Sequence, residues 1–215
     1  MPLRSRSRCA GRIITISREF SSGGRELGKR LADELNIPCY DHEIIELIAQ
    51  QNGFNEDYVA HVSEKSIEAA YPMTIGQRFT MLPMAAIEQP IRVEAAQRQI
   101  IENFAQQGDC VIVGRCADVI LEAYHPLNLF VYSDMGAKVR RCLERQKEGE
   151  NLTRSEIERQ IKRIDKDRAQ HRQMYTDSKW GAKESYHLCI NTSGRVIKNM
   201  VPALAQFCKD WFREE

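Results

Sequence analysis

Residues 13–35 contain a buried-strand pattern, a turn of small residues and an amphipathic-helix pattern, in that order. Ile13 to Ser17 are mostly apolar and β-branched, as in a buried parallel strand. Leu27, Leu31 and Leu35 are spaced to lie on one face of a helix. A strand, a small-residue turn and a helix direct backbone N–H groups toward an anion, so this stretch predicts a cradle for a nucleotide phosphate. An ordinary βα turn that needs glycine for its conformational freedom is the alternative.

A near match to the phosphate-loop pattern G-x-x-x-x-G-K-[ST] occurs at residues 23–30, but its register is wrong. A phosphate loop begins where its strand ends, and Gly23 comes well after Ser17. Gly28 and Lys29 also fall inside the helix that the leucines predict. We therefore reject this register.

In the register that the strand imposes, Arg18 takes the place of the first glycine and Gly23 that of the second. Gly24 then replaces the phosphate-binding lysine, and Arg25 and Glu26 stand where a magnesium-binding hydroxyl is expected. Arg25 could supply the missing positive charge, although a guanidinium does not copy the geometry of an ammonium. The residues predicted to hold the donor phosphates are Ser21, Ser22, Gly23, Gly24, Arg25 and Glu26.

Composition excludes several classes of function. The chain has 215 residues, of which 31 are Lys or Arg and 30 are Asp or Glu, so its net charge gives no reason to expect nucleic-acid or membrane binding. Its seven cysteines form no C-x-x-C pair, which favours reduced thiols in a cytoplasmic protein over a disulfide framework or a metal site. Residues 1–11 are interpreted as a flexible basic arm.

Strand and helix patterns alternate over residues 12–215, which predicts one α/β domain with a mostly parallel sheet and helices on both faces. Helices are expected over 90–107 and 138–146, and Thr153 and Glu156 form a capping-box pattern at the start of another. Residues 54–90 are predicted to be a helical insertion that covers the substrate, although an irregular helical elaboration or a dimer surface fits them almost equally well. A homodimer is therefore left open.

Ligands bind at the carboxyl ends of parallel strands, and five predicted strands end in polar residues. Asp41 and His42 follow the second strand, Arg115 follows the third, and Asp134 follows the fourth. Arg115 comes directly after an apolar strand and a glycine, where it could form a bidentate pair with a phosphate. A structural ion pair is the alternative role for Arg115.

An excess of cations marks the predicted helix that follows Thr153. Arg163, Arg168 and Arg172 lie on it among acidic residues. A solvated, self-neutralising face is the default interpretation of such a run. The surplus of arginine is better explained if the segment closes over a polyanion, so residues 150–181 are interpreted as a lid.

These motifs together resemble the nucleoside monophosphate kinases, and most closely the divergent cytidylate kinase-like family of bacteria. The matching features are the loop after the first strand, the turn at Asp41, Gly114-Arg115, and the lid stretch from Arg163 to Arg168. The resemblance implies a three-layer P-loop kinase fold and phosphoryl transfer from ATP, with Mg²⁺, to a small acceptor. A pyrimidine nucleoside monophosphate such as CMP is the expected acceptor.

In that mechanism Arg115 and the Asp41-His42 turn would bind the acceptor, and the lid arginines and Arg25 would act on the transferring group. Departures from the family pattern are Gly24 in the lysine position, and Val113 and Cys116 where aspartates flank Gly-Arg. Two alternatives follow from them: a sensor that binds a nucleotide or phosphometabolite without catalysis, and a partner-binding protein with a vestigial pocket.

Overall fold

The computed structural model describes residues 11–62, 84–146 and 152–213. The predicted arm lies almost wholly outside these residues, and so do the middle of the predicted insertion and the start of the predicted lid. Whether the segments act as insertion and lid, and whether the chain dimerises, stay predictions.

Five parallel strands form one sheet in the order β2-β3-β1-β4-β5. The strands are β1 (Ile13–Arg18), β2 (Cys39–Tyr40), β3 (Cys110–Val113), β4 (Leu127–Tyr132) and β5 (Leu188–Asn191). β1 lies in the centre, where it pairs with β3 on one side and with β4 on the other. Its first five residues are buried, which explains why the stretch is mostly apolar and β-branched.

Helices cover both faces of the sheet, as predicted. They are α1 (Gly24–Leu35), α2 (Glu43–Asn52), α3 (Glu56–Val62), α4 (Met84–Gln107), α5 (Ala117–Ile120), α6 (Met135–Glu144), α7 (Arg154–Gln173) and α8 (Ile197–Trp211), with 3₁₀ turns at Glu122–Tyr124 and Lys183–Ser185. Alternate residues of β1 face opposite layers: Ile14 packs with α1 and α8, whereas Ile13 packs with α2 and α4. None of the helices in the described ranges is long and apolar enough to cross a membrane.

Two helix starts differ from the sequence prediction. α4 begins at Met84, with Pro90 inside it rather than at its start. α6 begins at Met135 rather than at Lys138, because the Asp134 side chain accepts a hydrogen bond from the amide of Ala137 (2.7 Å) and caps the helix. The capping box at Thr153 and Glu156 forms as predicted and opens α7.

Gly28 lies against the sheet rather than at a phosphate site. It is buried in the middle of α1, where an added β-carbon would lie 2.8 Å from Cγ2 of Val113 and 3.2 Å from Cδ1 of Ile16. Lys29 beside it is exposed. The near match at residues 23–30 is therefore a packing feature of the helix, as the strand register indicated.

We predict that Gly28→Ala destabilises the protein, although alanine favours a helix over glycine by about 1 kcal/mol. Crowding against Val113 and Ile16 should outweigh that gain and lower the free energy of unfolding by about 1–3 kcal/mol. Urea unfolding of the purified variant measures the change. Lys29→Ala, at the exposed neighbouring position, is the matched control, and equal stability of the two variants would contradict the packing role of Gly28.

Candidate active site at the carboxyl edge of the sheet

Side chains from other elements bind the carbonyl oxygens of the loop between β1 and α1. The Thr192 hydroxyl donates to the carbonyl oxygen of Ser22 (2.6 Å), and the Arg141 guanidinium lies 3.3–3.4 Å from the carbonyl oxygens of Ser21 and Ser22. Gly23, with φ of 86°, begins α1 without a side-chain cap. The first-turn amides of α1 have no acceptor within the helix, so this end of α1 is suited to an anion.

A carboxylate from α7 reaches this loop. Asp165 Oδ1 accepts a hydrogen bond from the amide of Phe20 (2.6 Å), and its Oδ2 lies 2.9 Å from the Lys138 ammonium. Lys138 Nζ also lies 2.7 Å from Glu19 Oε2. The loop, α6 and α7 are thus joined by one ionic network, in which Lys138 is buried and both carboxylates are half-buried.

Arg18 fills the space that a first glycine would leave open. A β-carbon on Gly24 would lie 2.5 Å from Cβ of Arg18, and one on Gly114 would lie 1.8 Å from its Nη1. The Arg18 guanidinium extends toward Asp41, 3.9 Å away, and Arg25 pairs with the same carboxylate. Arg18 can therefore occupy this position because residues 24 and 114 have no side chains.

The turn after β3 is strained. Gly114, Arg115 and Cys116 have φ values of 79°, 59° and 50°, and L side chains rarely adopt this left-handed region. Such strain concentrates at functional sites, where surrounding packing holds it. Here it directs the buried Arg115 toward the carboxyl ends of the strands. Burial raises the pKa of the Cys116 thiol to about 12, so this neighbour adds no negative charge at neutral pH.

Four arginines surround a small cavity of about 30 Å³ at this edge of the sheet. Arg18 and Arg115 come from the strand ends, and Arg168 and Arg172 come from α7. The remaining lining residues are Ser17, Gly114, Cys116, His171 and Trp180. Residues of α7 thus lie over the carboxyl ends of β1 and β3.

Arg172 and His171 also anchor α7 to the body of the protein. Arg172 Nη1 lies 2.5 Å from Asp118 Oδ2, and both side chains are buried. The Asp118 carboxylate raises the pKa of Arg172 against the effect of burial. His171 Nε2 lies 3.0 Å from Glu94 Oε1 on α4. Arg172, predicted from sequence as a catalytic cation, thus makes a structural ion pair.

Comparisons with known proteins decide the family. Residues 13–194 match the cytidylate kinase-like family. The chain belongs to this family. No curated protein matches the chain.

Solved structures show the P-loop kinase fold. An uncharacterized protein from Eubacterium ventriosum is 25% identical, with a TM-score of 0.65, over 92% of this chain and 98% of that one. Shikimate kinase from Acinetobacter baumannii, in complex with shikimate, is 13% identical with a TM-score of 0.53, over 95% and 96% of the two chains. Shikimate kinase from Bacteroides thetaiotaomicron is 13% identical with a TM-score of 0.54, over 92% and 98%. The expected three-layer fold is confirmed.

The structure brings most, but not all, of the predicted site residues of this cytidylate kinase-like chain together. Arg115, Arg168 and Arg172 line the cavity, and Ser21 to Glu26 form the adjoining loop and helix start. Arg163 and His42 are exposed and do not line it. Asp41 is buried beside the loop, where it pairs with Arg25.

Sequence reasoning missed Lys138, Asp165 and Arg141 as site residues. All three come from helices distant in sequence from the loop that they contact. One signal was available for Lys138: it stands between Ala137 and Val139 on the buried side of α6, where a lysine needs a partner. The partners, however, lie on two other elements.

A second cleft of about 460 Å³ opens beside the first turn of α1. It lies between α6 and the turn that leads into α8, and it is strongly basic. Its lining residues are Glu26, Ala137, Arg140, Arg141, Glu144, Arg145, Gly194, Arg195, Val196 and Ile197. The loop between β1 and α1 therefore lies between the arginine-lined cavity and this basic cleft.

We predict that residues 18 and 24 are energetically coupled. Gly24→Ala should lower the free energy of unfolding by about 1–3 kcal/mol, because its β-carbon meets that of Arg18. Arg18→Gly removes that contact, so the double variant Arg18→Gly/Gly24→Ala should lose less than the sum of the two single variants. Urea unfolding of the wild type, the two single variants and the double variant completes this double-mutant cycle. Additive losses of stability would show that contact with Arg18 is not the reason for glycine at position 24.

Proposed function

We propose that this protein transfers the terminal phosphoryl group of ATP to a small phosphorylated acceptor, a nucleoside monophosphate, with CMP as the first candidate. The observation that carries the proposal is the cavity ringed by Arg18, Arg115, Arg168 and Arg172 beside an anion-suited loop. Guanidinium groups match phosphate oxygens in geometry and charge, and phosphoryl transfer depends mainly on positioning and charge neutralisation. Family membership supports the class of reaction.

In the proposed mechanism the first turn of α1 and the loop hold the donor phosphates, and the 460 Å³ cleft takes the rest of the donor nucleotide. Arg115 holds the acceptor phosphate. One acceptor phosphate oxygen forms a bond to the γ-phosphorus, the bond from that phosphorus to the β–γ bridging oxygen breaks, and the electron pair leaves with ADP. A monophosphate is largely ionised at neutral pH, so no general base is required.

No described residue is assigned to magnesium. The described part of the chain holds no group of three His, Cys, Asp or Glu side chains that could bind a metal, and Arg25 stands in the place of the loop hydroxyl. Asp134, which follows the fourth strand, is engaged as the cap of α6. Magnesium is therefore treated as part of the MgATP substrate.

A nucleoside monophosphate is far larger than the 30 Å³ cavity, so acceptor binding requires α7 to move away from the strand ends. We therefore propose that residues 150–181 act as a lid over the acceptor. Free thiols at Cys39, Cys110, Cys116, Cys142, Cys189 and Cys208 support a reducing compartment, and we propose the cytoplasm.

The lysine-less loop favours one other candidate, a nucleotide sensor that binds without transfer. Release of ADP from MgATP, measured with CMP, UMP, dCMP, AMP and GMP in turn, separates the two. Shikimate, which carries no phosphate, serves as the control acceptor. The kinase proposal predicts turnover with at least one monophosphate and none with shikimate, whereas tight ATP binding without turnover on any acceptor would favour the sensor.

We predict that Arg115→Ala reduces kcat/KM for the acceptor by about 30–150-fold. This corresponds to the loss of a charged hydrogen bond of about 2–3 kcal/mol. Arg115→Lys should recover only part of the loss, because an ammonium cannot form the bidentate pair.

The matched control is Arg159→Ala, which removes an arginine from the exposed side of α7. Thermal unfolding of each variant separates a lost contact from a misfolded turn. If folded Arg115→Ala matches the control in acceptor kcat/KM, Arg115 does not bind the acceptor.

A further inference from the structure

Lys138 is a buried cation next to the phosphate loop. Only 5% of the residue is exposed, and its ammonium lies between two carboxylates, 2.7 Å from Glu19 Oε2 and 2.9 Å from Asp165 Oδ2. Lysine is almost never buried to this extent unless it is paired. The loop meanwhile carries Gly24 where a phosphate-binding lysine is expected.

The two oxygens of the Asp165 carboxylate are bound as two oxygens of a phosphate group would be. One of its oxygens accepts the Phe20 amide, 2.6 Å away, and the other accepts from the Lys138 ammonium. An anion held between a loop amide and an ammonium is the arrangement by which phosphate loops bind their ligand. In this closed state a carboxylate of α7 thus occupies an anion position at the loop.

Lys138 is held at the loop by contacts that do not involve α7. The Ser21 hydroxyl donates to the carbonyl oxygen of Lys138 (3.0 Å), and Glu19 remains as a partner for its ammonium. Glu19 is itself fixed by the amide of Ser133 (3.2 Å). When α7 moves and carries Asp165 away, the ammonium therefore stays beside the Phe20 amide.

We propose that Lys138 supplies the ammonium that Gly24 lacks, and that Asp165 occupies the donor-phosphate position until the donor displaces it. The inference rests on the proposed function for the identity of the anion, a nucleoside triphosphate. It assigns Lys138 a direct contact with the donor phosphates. Asp165 becomes a competitor for the same position, released together with α7.

A purely structural salt bridge makes a different prediction from this proposal. If Lys138 and Asp165 only hold the loop in shape, removing either charge should weaken donor binding in the same direction. If Lys138 binds the phosphates and Asp165 competes with them, the two substitutions should have opposite effects.

The test is isothermal titration of the full-length protein with Mg²⁺ and a non-hydrolysable ATP analogue, with inorganic tripolyphosphate as a probe without a base. Lys138→Met should weaken both by about tenfold or more, as expected for a lost charged contact, and Asp165→Asn should tighten both by about threefold or more. AMP, which lacks the β- and γ-phosphates, should bind all variants equally. Lys29→Met is the matched control and should bind like the wild type, because Lys29 is the exposed lysine of the near match at residues 23–30.

Weakening by both Lys138→Met and Asp165→Asn, or no effect of Lys138→Met, would overturn the inference. If melting curves show that Lys138→Met does not fold, Asp165→Asn decides alone: tighter binding supports the inference, and unchanged or weaker binding overturns it. Another outcome is weaker triphosphate binding in Lys138→Met and tighter binding in Asp165→Asn, in a protein that transfers no phosphoryl group. That result would support the role of Lys138 in donor binding and reject the kinase proposal. Failure of the wild type to bind either triphosphate would overturn both.

Discussion

The parallel pairing of β1 with both β3 and β4 brings the whole candidate site together. Ile16 pairs with Val113 on one side and with Leu129 on the other, so the three strands end at one edge of the sheet. The phosphate loop, the strained turn at Arg115 and the cap of α6 follow directly from those ends. Because parallel strands require crossover connections, these segments lie far apart in sequence and meet only through the sheet.

Arg18, Gly24 and Gly114 depend on one another, so they are not separate deviations from the phosphate-loop pattern. The side chain of Arg18 leaves no room for β-carbons at positions 24 and 114. A lysine at position 24 would therefore meet Arg18, although the helical backbone there accepts any L residue. In the proposal above, Lys138 on α6 supplies the ammonium that such a loop lacks, and its Nζ lies 2.7 Å from Glu19 of the loop.

Local patterns predicted the elements well, and contacts between elements were harder to predict. β4 ends just before Asp134, as predicted, because its apolar run gives way there to polar residues, and the capping box at Thr153 needs only its own sequence. The start of α4 was missed because Pro90, interpreted as a beginning, lies inside the helix. Arg163 and Arg168 were equivalent by sequence, yet only Arg168 lines the cavity, since the rotation of α7 depends on tertiary packing.

The closed site neutralises itself with its own carboxylates. Asp118 pairs with Arg172, Asp41 with Arg25, and Asp165 with Lys138, so cations that would otherwise repel one another are kept close together. Two of these three carboxylates lie outside α7, and Asp165 alone lies on it. In the proposed opening, α7 carries away Asp165 and Arg172 together, which separates Lys138 from Asp165 and Asp118 from Arg172 while the Asp41–Arg25 pair stays in place. In the proposal, the phosphate oxygens of a bound donor then take the place of the Asp165 carboxylate beside Lys138, so that this buried ammonium keeps a negative partner in both states.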